Sequence, residues 1–427
     1  MPKTAVKQIA AAILSFPSNT SLFARKALPA VFNRIMVILL IVVLLFSEVF
    51  RLYFVMPFPG SQTGSTLGIA YWITMHIAWV RLISGLVMAT VLIRVFKYGH
   101  RWEKISLLIG LAGYAVLVFA INYRLSAEAI FQQPSVKSFI PIASSPDNSK
   151  LVIGVVINGE ARAYPIQLIG YHHQVVDTVG NMPLMVTYCT VCRTGRVFST
   201  EVNGRQESFR LVGMDQFNAV FEDATTRSWW QQATGEAIAG PLKGARLREI
   251  PSRQVTVAAW MREYPNATVM APDPKYDERY FKLEDYDRGT MQSSLVKRDY
   301  RSWQRKSWVI GVKLESSSIA YDWNELVEKR LIQDSLQAMP ILLTLETDTT
   351  TFHVYDRRLK NQVLSFAAHV NDDGFTDTGT HSVWNMDGLC IAGPLKGQQL
   401  TSVQAYHEFW HAWQTFQPNV KRFNQNK

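Results

Sequence analysis

Three long apolar runs, at residues 35–57, 68–93 and 105–122, constrain this chain more than any other feature; the first begins IMVILLIVVLLF. A helix that crosses the hydrocarbon core of a bilayer needs about 20 largely apolar residues, and each run is near that length. Helices buried in a water-soluble domain keep a polar stripe, which these lack. The first run starts too late and extends too far for a cleaved leader, and two more follow it. The sequence therefore predicts three membrane-spanning helices within 29–122, after a tail over 1–28.

Charge gives the expected orientation. Residues 1–126 hold 12 of the 44 Lys and Arg but only 2 of the 34 Asp and Glu, so the whole net charge of +10 sits there. The rest of the chain is neutral, which argues against a nucleic-acid partner. Lys3, Lys7, Arg25, Lys26 and Arg34 precede the first span, and Arg94, Lys97, Arg101 and Lys104 lie between the second and third. The loop 58–67 has no charge, and only Arg51 and Arg124 flank the other face. Basic loops stay cytoplasmic. The expectation is a multi-pass protein of a bacterial inner membrane, with its N-terminus inside, everything after about residue 123 in the periplasm, and the lipid bilayer as partner. Glu48, Arg51, His76 and Arg81 fall in or near the spans. Pairing of Glu48 with Arg51 or Arg81 is the structural expectation; a transport or quinone-type role is the alternative.

At 427 residues the chain has room for about two to three domains of ~150 residues, and its 48% hydrophobic content excludes a disordered protein. Past a Pro-containing linker at 123–150, the sequence recurs. Gly154-Val155, Ala163-Tyr164, Asp177, Met182-Pro183 and Thr187 return as Gly311-Val312, Ala320-Tyr321, Asp334, Met339-Pro340 and Thr344, always 157 residues on. Asp223, Thr226, Ser228 and Trp230 return as Asp377, Thr380, Ser382 and Trp384; IAGPLKG returns intact at 391–397. Trp260, Pro265 and Asn266 return as Trp413, Pro418 and Asn419. The reading is two copies of one unit, 151–272 and 309–420, joined by a charged, Tyr-rich connector at 273–308.

Within a unit the signals are mostly β: a hairpin about Asn158-Gly159, an apolar strand PLMVTYC, and a second hairpin about Asn203-Gly204 over GRVFSTEVNGRQESFRLV. Short helices fit 165–172 and 255–264. The fold class is thus α+β: three transmembrane helices followed by two duplicated β-rich lobes, each an antiparallel sheet or small barrel with one or two helices.

Motifs found in both copies are assigned to the fold, including the Asp223–Trp230 stretch and the IAGPLKG turn. Those found in one copy are the functional candidates. Cys189 and Cys192 correspond to Glu346 and Thr349, His172 to Lys329, and Cys390 to Ala237. Three cysteines are too few for a disulfide scaffold. The Cys189–Cys192 spacing, between a strand and Gly195, suits a metal-binding knuckle better than a redox site at a helix N-terminus. Further ligands are offered by His172, Cys390, His173 and His381, and thiolate softness favours Zn, Cu or Fe. A structural disulfide, thiol redox chemistry and inert thiols stay open as alternatives. His172 and His173 are adjacent and diverge, so at most one faces the cysteines. His407-Glu408-Phe409-Trp410-His411 has the form of an HExxH metallopeptidase helix; the bland reading is an amphipathic packing helix.

The segments AYPIQLIGYHHQVVD, PLMVTYCTVCRTGRVF, TTRSWWQQATGEAIAGPLKG, AAWMREYPN, SVWNMDGLCIAGPLKG and FWHAWQTFQP resemble the family called domain of unknown function 3179, over about 140–420. By that resemblance His172, Asp177, Cys189 and Cys192 are the family's His, Asp and two Cys. The chain departs from the family pattern at His173 (an acid there), Val176 (Asn), Thr190 (Pro) and Arg193 (Gly). The resemblance implies no activity. The sequence as a whole points to a membrane-anchored protein that binds a soft metal, or does metal-linked redox work, at Cys189, Cys192, His172 and Cys390. A non-catalytic ligand-binding or scaffold module held by a disulfide is the alternative, and an HExxH peptidase the third reading.

Overall fold

The computed structural model describes residues 22–62, 64, 66–315, 317–369, 374–417 and 419–424, with side chains from residue 35 onward. Lys3, Lys7, Pro418 and the side chains of Arg25, Lys26 and Arg34 lie outside the described residues. The chain divides into two units. One comprises Trp72–Leu125 with the chain up to Tyr53; the other joins Phe54–Tyr71 to Ser126–Lys427.

The first unit is helical. Helices α1 (Leu22–Tyr53), α2 (Leu67–Tyr98) and α3 (Arg101–Tyr123) are long and apolar enough to cross a membrane. Met88, Val91, Val95 and Leu107 pack inward with Leu40 and Ile41, while Leu39, Leu86 and Val116 face outward. Glu48 is fully buried among them. It accepts from Arg81 Nε at 2.6 Å and from Arg51 at 3.2 Å, and Arg51 also donates to Asn122 Oδ1 at 2.8 Å. This charge is satisfied by both expected partners at once, as an intramembrane carboxylate requires. His76 caps no charge; its Nδ1 lies 2.8 Å from Trp72 O and its ring stacks on Trp72.

The second unit is a mixed α+β body with two groups of open sheets and, among the described residues, no closed barrel. Helix α4 (Ala127–Ile130) leads into it. In the first group the strands run Phe139–Pro141, Thr268–Met270, Glu160–Pro165, Leu151–Ile157, Arg253–Thr256 across one sheet; only Thr268–Met270 and Glu160–Pro165 pair in parallel. A three-stranded sheet joins Gln174–Val179, Met182–Cys189 and Thr194–Ser199, and a four-stranded one joins Ala237–Ala239, Trp229–Gln231, Asn218–Asp223 and Phe209–Asp215. Helices α5 (Ile166–His172) and α6 (Val257–Glu263) cover them. The residues expected to be a linker thus supply an edge strand, Phe139–Pro141. Helix α7 (Asp277–Phe281) follows in the connector, whose Tyr276, Tyr280, Tyr286 and Val296 complete the core around Leu151, Val186 and Val197.

In the second group one sheet runs Ala405–Phe409, Trp308–Leu314, Ser317–Asp322, Val420–Arg422, the last pair again parallel. A second sheet joins Leu331–Leu336, Met339–Leu345, Phe352–Asp356 and Thr401–Ser402; a third joins Phe366–Ala368, Gly374–Asp377, Val383–Asn385 and Cys390–Ala392. Helices α8 (Trp323–Lys329) and α9 (Trp410–Phe416) pack on them.

The expected hairpin at Asn158-Gly159 forms, with φ of +50° and +83° at its tip as a type I′ turn requires. That at Asn203-Gly204 differs from expectation. Its arms are only Glu201–Val202 and Arg205–Gln206, because Thr194–Ser199 and Phe209–Asp215 belong to different sheets. Gly154 faces the ring of Trp260 and Gly311 that of Trp413; a Cβ at either would come within 2.4–2.6 Å of ring carbons. The shared Asp223 accepts from Thr226, from Ser228 N at 3.0 Å and from Trp230 Nε1 at 2.9 Å, so it ties a strand to the next turn. Ser228 and Ser382 each accept from the IAGPLKG turn, at Leu242 N and Leu395 N.

Charged groups join the two groups of sheets. Arg262 of α6 donates to both oxygens of Glu346, at 2.5 and 3.0 Å, and to Asp387 at 3.1 Å. Burial pushes the Glu346 carboxyl up, but His353 and Arg262 overcome it and hold it at about 2, against an ordinary 4.5. A depressed folded value gives stability that is present above the ordinary value and lost as pH falls. Thermal stability should therefore decline between pH 4.5 and about 2, and Glu346→Gln should flatten that decline. Gly154→Ala should cost about 1–3 kcal/mol by overpacking a rigid indole, read as a lower unfolding temperature in detergent.

Candidate functional site

The sequence closes a tight turn where strand Met182–Cys189 passes into Thr194–Ser199. Cys189 pairs with Thr194 across it, and the turn is held by Cys192 N donating to Cys189 O at 3.3 Å and Arg193 N to Thr190 O at 3.4 Å. Arg193 has φ +57°, a conformation that suits glycine. Both sulfurs point inward, fully buried. Each lies within hydrogen-bond reach of Phe217 O, Cys189 at 3.4 Å and Cys192 at 3.2 Å. Phe217 O is presented by a left-handed turn at Gln216-Phe217, whose Phe217 N donates to Gln62 Oε1 at 3.1 Å.

The electrostatics separate the two thiols. The hydrogen bond from Cys192 pulls Cys189 below the ordinary thiol range, with Lys306 adding a smaller effect. Burial, and then the Cys189 negative charge, push Cys192 well above that range. Lys306 is itself lowered to about 8 by burial, and its ammonium donates to Val191 O on the same turn.

A third soft donor comes from the second group of sheets. His411 Nε2 lies 4.0 Å from Cys192 Sγ. His411 Nδ1 lies 3.0 Å from Arg305 O; a carbonyl only accepts, so the proton is assigned to Nδ1 and the lone pair to Nε2, facing the thiol. Burial, then Lys306, lowers His411 to about 3, so it is neutral at pH 7. Phe409 N donates to Cys192 O at 3.0 Å and docks the His411 segment onto the cysteine turn. Beside it the buried Arg196 bonds Glu408 at 2.6 Å and stacks over Tyr406 at 3.6 Å.

The other expected ligands are engaged elsewhere. His172 ends α5 with Nδ1 at 2.5 Å from Gln132 O and Nε2 at 2.6 Å from Tyr280 Oη, within a cage of Tyr171, Tyr276 and Tyr280. Neither nitrogen faces a sulfur. His173 packs on Phe131 and is lowered to about 4 by burial. Cys390 sits in a separate core with Phe375 and Trp384, its thiol donating to Ala392 O at 3.3 Å. His381 is exposed. Asp177 takes hydrogen bonds from Tyr164 and Arg162.

The expected helix through His407 and His411 is corrected. His407 is on strand Ala405–Phe409, and α9 begins only at Trp410. The alternating Tyr406, His407, Glu408 pair with Trp308–Val312, so His407 turns away and stacks on Trp323 at 4.2 Å, while Glu408 is held by Arg196. The two histidines and the glutamate do not converge, and the peptidase geometry is absent. A carboxylate/His cluster does exist at Glu346, His353 and Asp387, with ligand atoms within 4.8 Å of one another; the Arg262 guanidinium already neutralises it. Sequence reasoning missed Lys306, Phe217 and the role of His411, since nothing local links residues 219 positions apart.

Neither a curated protein nor a solved structure matches this chain. The profile of a family described as Protein of unknown function (DUF3179) matches residues 130–420. That match covers more than half of the sequence, takes in both groups of sheets and the cysteine turn, and makes the chain a member of the DUF3179 family.

Proposed function

We propose that this is a membrane-anchored protein that binds a soft transition metal, Zn, Cu or Fe, through Cys189, Cys192 and His411, with a fourth position open. The observation that carries the reading is the neutral His411 Nε2 lone pair, 4.0 Å from Cys192 Sγ and fixed by Arg305 O. A histidine that donates its other nitrogen to a backbone carbonyl is the usual form of a metal ligand. Nitrogen and sulfur ligands on a tetrahedral zinc stand about 3.6 Å apart, given ~2.3 Å Zn–S and ~2.05 Å Zn–N bonds, close to the separation of Cys192 Sγ and His411 Nε2. This ligand set replaces His172 and Cys390.

The opposed displacements of the two thiols favour a second reading, a dithiol–disulfide couple with Cys189 as the attacking thiolate. We further propose that the two groups of sheets are duplicated lobes. Support comes from the strand order Thr268–Met270, Glu160–Pro165, Leu151–Ile157, Arg253–Thr256, which returns as Val420–Arg422, Ser317–Asp322, Trp308–Leu314, Ala405–Phe409 with the first pair parallel in each, and from Trp260 and Trp413 on Gly154 and Gly311. The lobes are proposed to lie in the periplasm. The loop within Phe54–Tyr71 belongs to the same unit as Ser126–Lys427, as an odd number of crossings requires.

Full-length protein purified in detergent without chelator should carry stoichiometric metal by mass spectrometry. Cys189→Ser, Cys192→Ser and His411→Ala should each lose it, and His172→Ala and Cys390→Ser should keep it. Metal-free protein whose two thiols interconvert with a disulfide in a glutathione titration would select the second reading. A C-terminal alkaline phosphatase fusion should be active and a C-terminal green fluorescent protein fusion dark; the reverse pattern refutes the periplasmic assignment.

A further inference from the structure

A second site lies beside the cysteine turn and includes neither thiol nor His411. It is a cavity of about 450 Å³ whose lining includes Arg193, Asp287, Arg298, Trp308, Trp323 and His407. This size suits a small organic molecule.

Its walls hold two guanidiniums that form no ion pair among the described residues. Arg193 is buried, and its nearest polar contacts are backbone oxygens of Tyr286 and Asp287 at 3.4 and 3.5 Å. Arg298 donates only to Asn324 Oδ1, at 3.2 Å. The two guanidiniums stack on one indole, Trp308, at 4.0 and 3.9 Å. Neither has a carboxylate within salt-bridge distance among the described residues. Arg193 Nε, Arg298 Nε, Trp308 Nε1 and both nitrogens of His407 are buried without a hydrogen-bond partner. His407 is 2% exposed and held against Trp323 at 4.2 Å.

A buried guanidinium beside a half-buried one is costly unless an anion joins them. Burial, and then the neighbouring Arg193, lower Arg298 to about 10. An acid also lines the wall: Leu151 N holds one oxygen of Asp287, the other is buried without a hydrogen-bond partner, and burial raises its carboxyl above the ordinary range while Arg193 opposes that. Another cavity between the sheet groups makes a useful contrast. There Arg253 is paired with Glu263 and bonded to His353.

We propose that this cavity binds an organic oxyanion, a carboxylate or phosphate monoester carried on a flat apolar body. The planar forks of Arg193 and Arg298 match such a group bidentately, His407 and Trp308 add N–H donors, and Trp308 and Trp323 wall the apolar part. Arg193 holds a positive φ at the cysteine turn, and its guanidinium lies over Trp308 in this cavity.

The test is calorimetric titration of the detergent-solubilised full-length protein with phenyl phosphate and, separately, benzoate, with phenol as the uncharged control. Saturable one-site binding of either anion, absent for phenol and weakened at least tenfold by Arg298→Met, is the expected result. Binding of phenyl phosphate alone would identify a phosphate, of benzoate alone a carboxylate. No binding of either up to about 10 mM, or binding unaltered by Arg298→Met, overturns the proposal. Ligand-free Arg298→Met should unfold at the same temperature as wild type or higher, because repulsion is relieved. A lower temperature would mean that Arg298 is a stacking brace and would also overturn the proposal. His407→Phe keeps the stack on Trp323 and should weaken anion binding with the unfolding temperature unchanged; undiminished affinity counts against the site.

Discussion

The buried contact between Arg196 and Glu408 is the constraint on which the candidate site rests. Each group lies on a different group of sheets and each is fully buried, so neither charge can turn to water. Burial raises the Glu408 carboxyl, and the Arg196 guanidinium opposes that. Pairs of this kind add little net stability, but breaking one leaves a charge stranded, at about 3–5 kcal/mol. Their effect is to fix register. With Glu408 anchored, Phe409 N meets Cys192 O and α9 carries His411 to the thiols. Arg262 on Glu346 and Asp387 does the corresponding work on the other side.

Much of the fold was legible in the sequence because its causes are local. The three helices long and apolar enough to cross a membrane follow from what hydrocarbon tolerates. The Asn158-Gly159 hairpin follows from two residues able to hold positive φ, and helix Ile166–His172 matches the expected 165–172 closely. The cysteine turn was readable from its position between a strand and Gly195. The failures share a different origin. HEFWH satisfies a helical spacing and a strand alternation equally, and pairing with Trp308–Val312 decided between them. The Asn203-Gly204 hairpin was overextended because sheet membership is set by distant partners.

The ligand set was the least legible part. His172 lies close to the cysteines in sequence, yet its nitrogens serve Gln132 and Tyr280, a fate no local pattern announces. Cys390 is drawn into an apolar core with Trp384. His411 reaches Cys192 only because two sheet groups lock together, and Lys306 arrives from the connector. Arg193 was noted only as a departure from a glycine. Its meaning emerges from the side chain, which leaves the turn and lies over Trp308.

The tyrosines of the connector carry a consequence for biosynthesis. Tyr276, Tyr280 and Tyr286 belong to the core whose strands begin at Leu151, and Tyr280 also completes the environment of His172. The sheet that holds Leu151 is itself incomplete until Thr268–Met270 has been made, and these rings follow directly after it. That core is therefore sealed only as the connector leaves the ribosome.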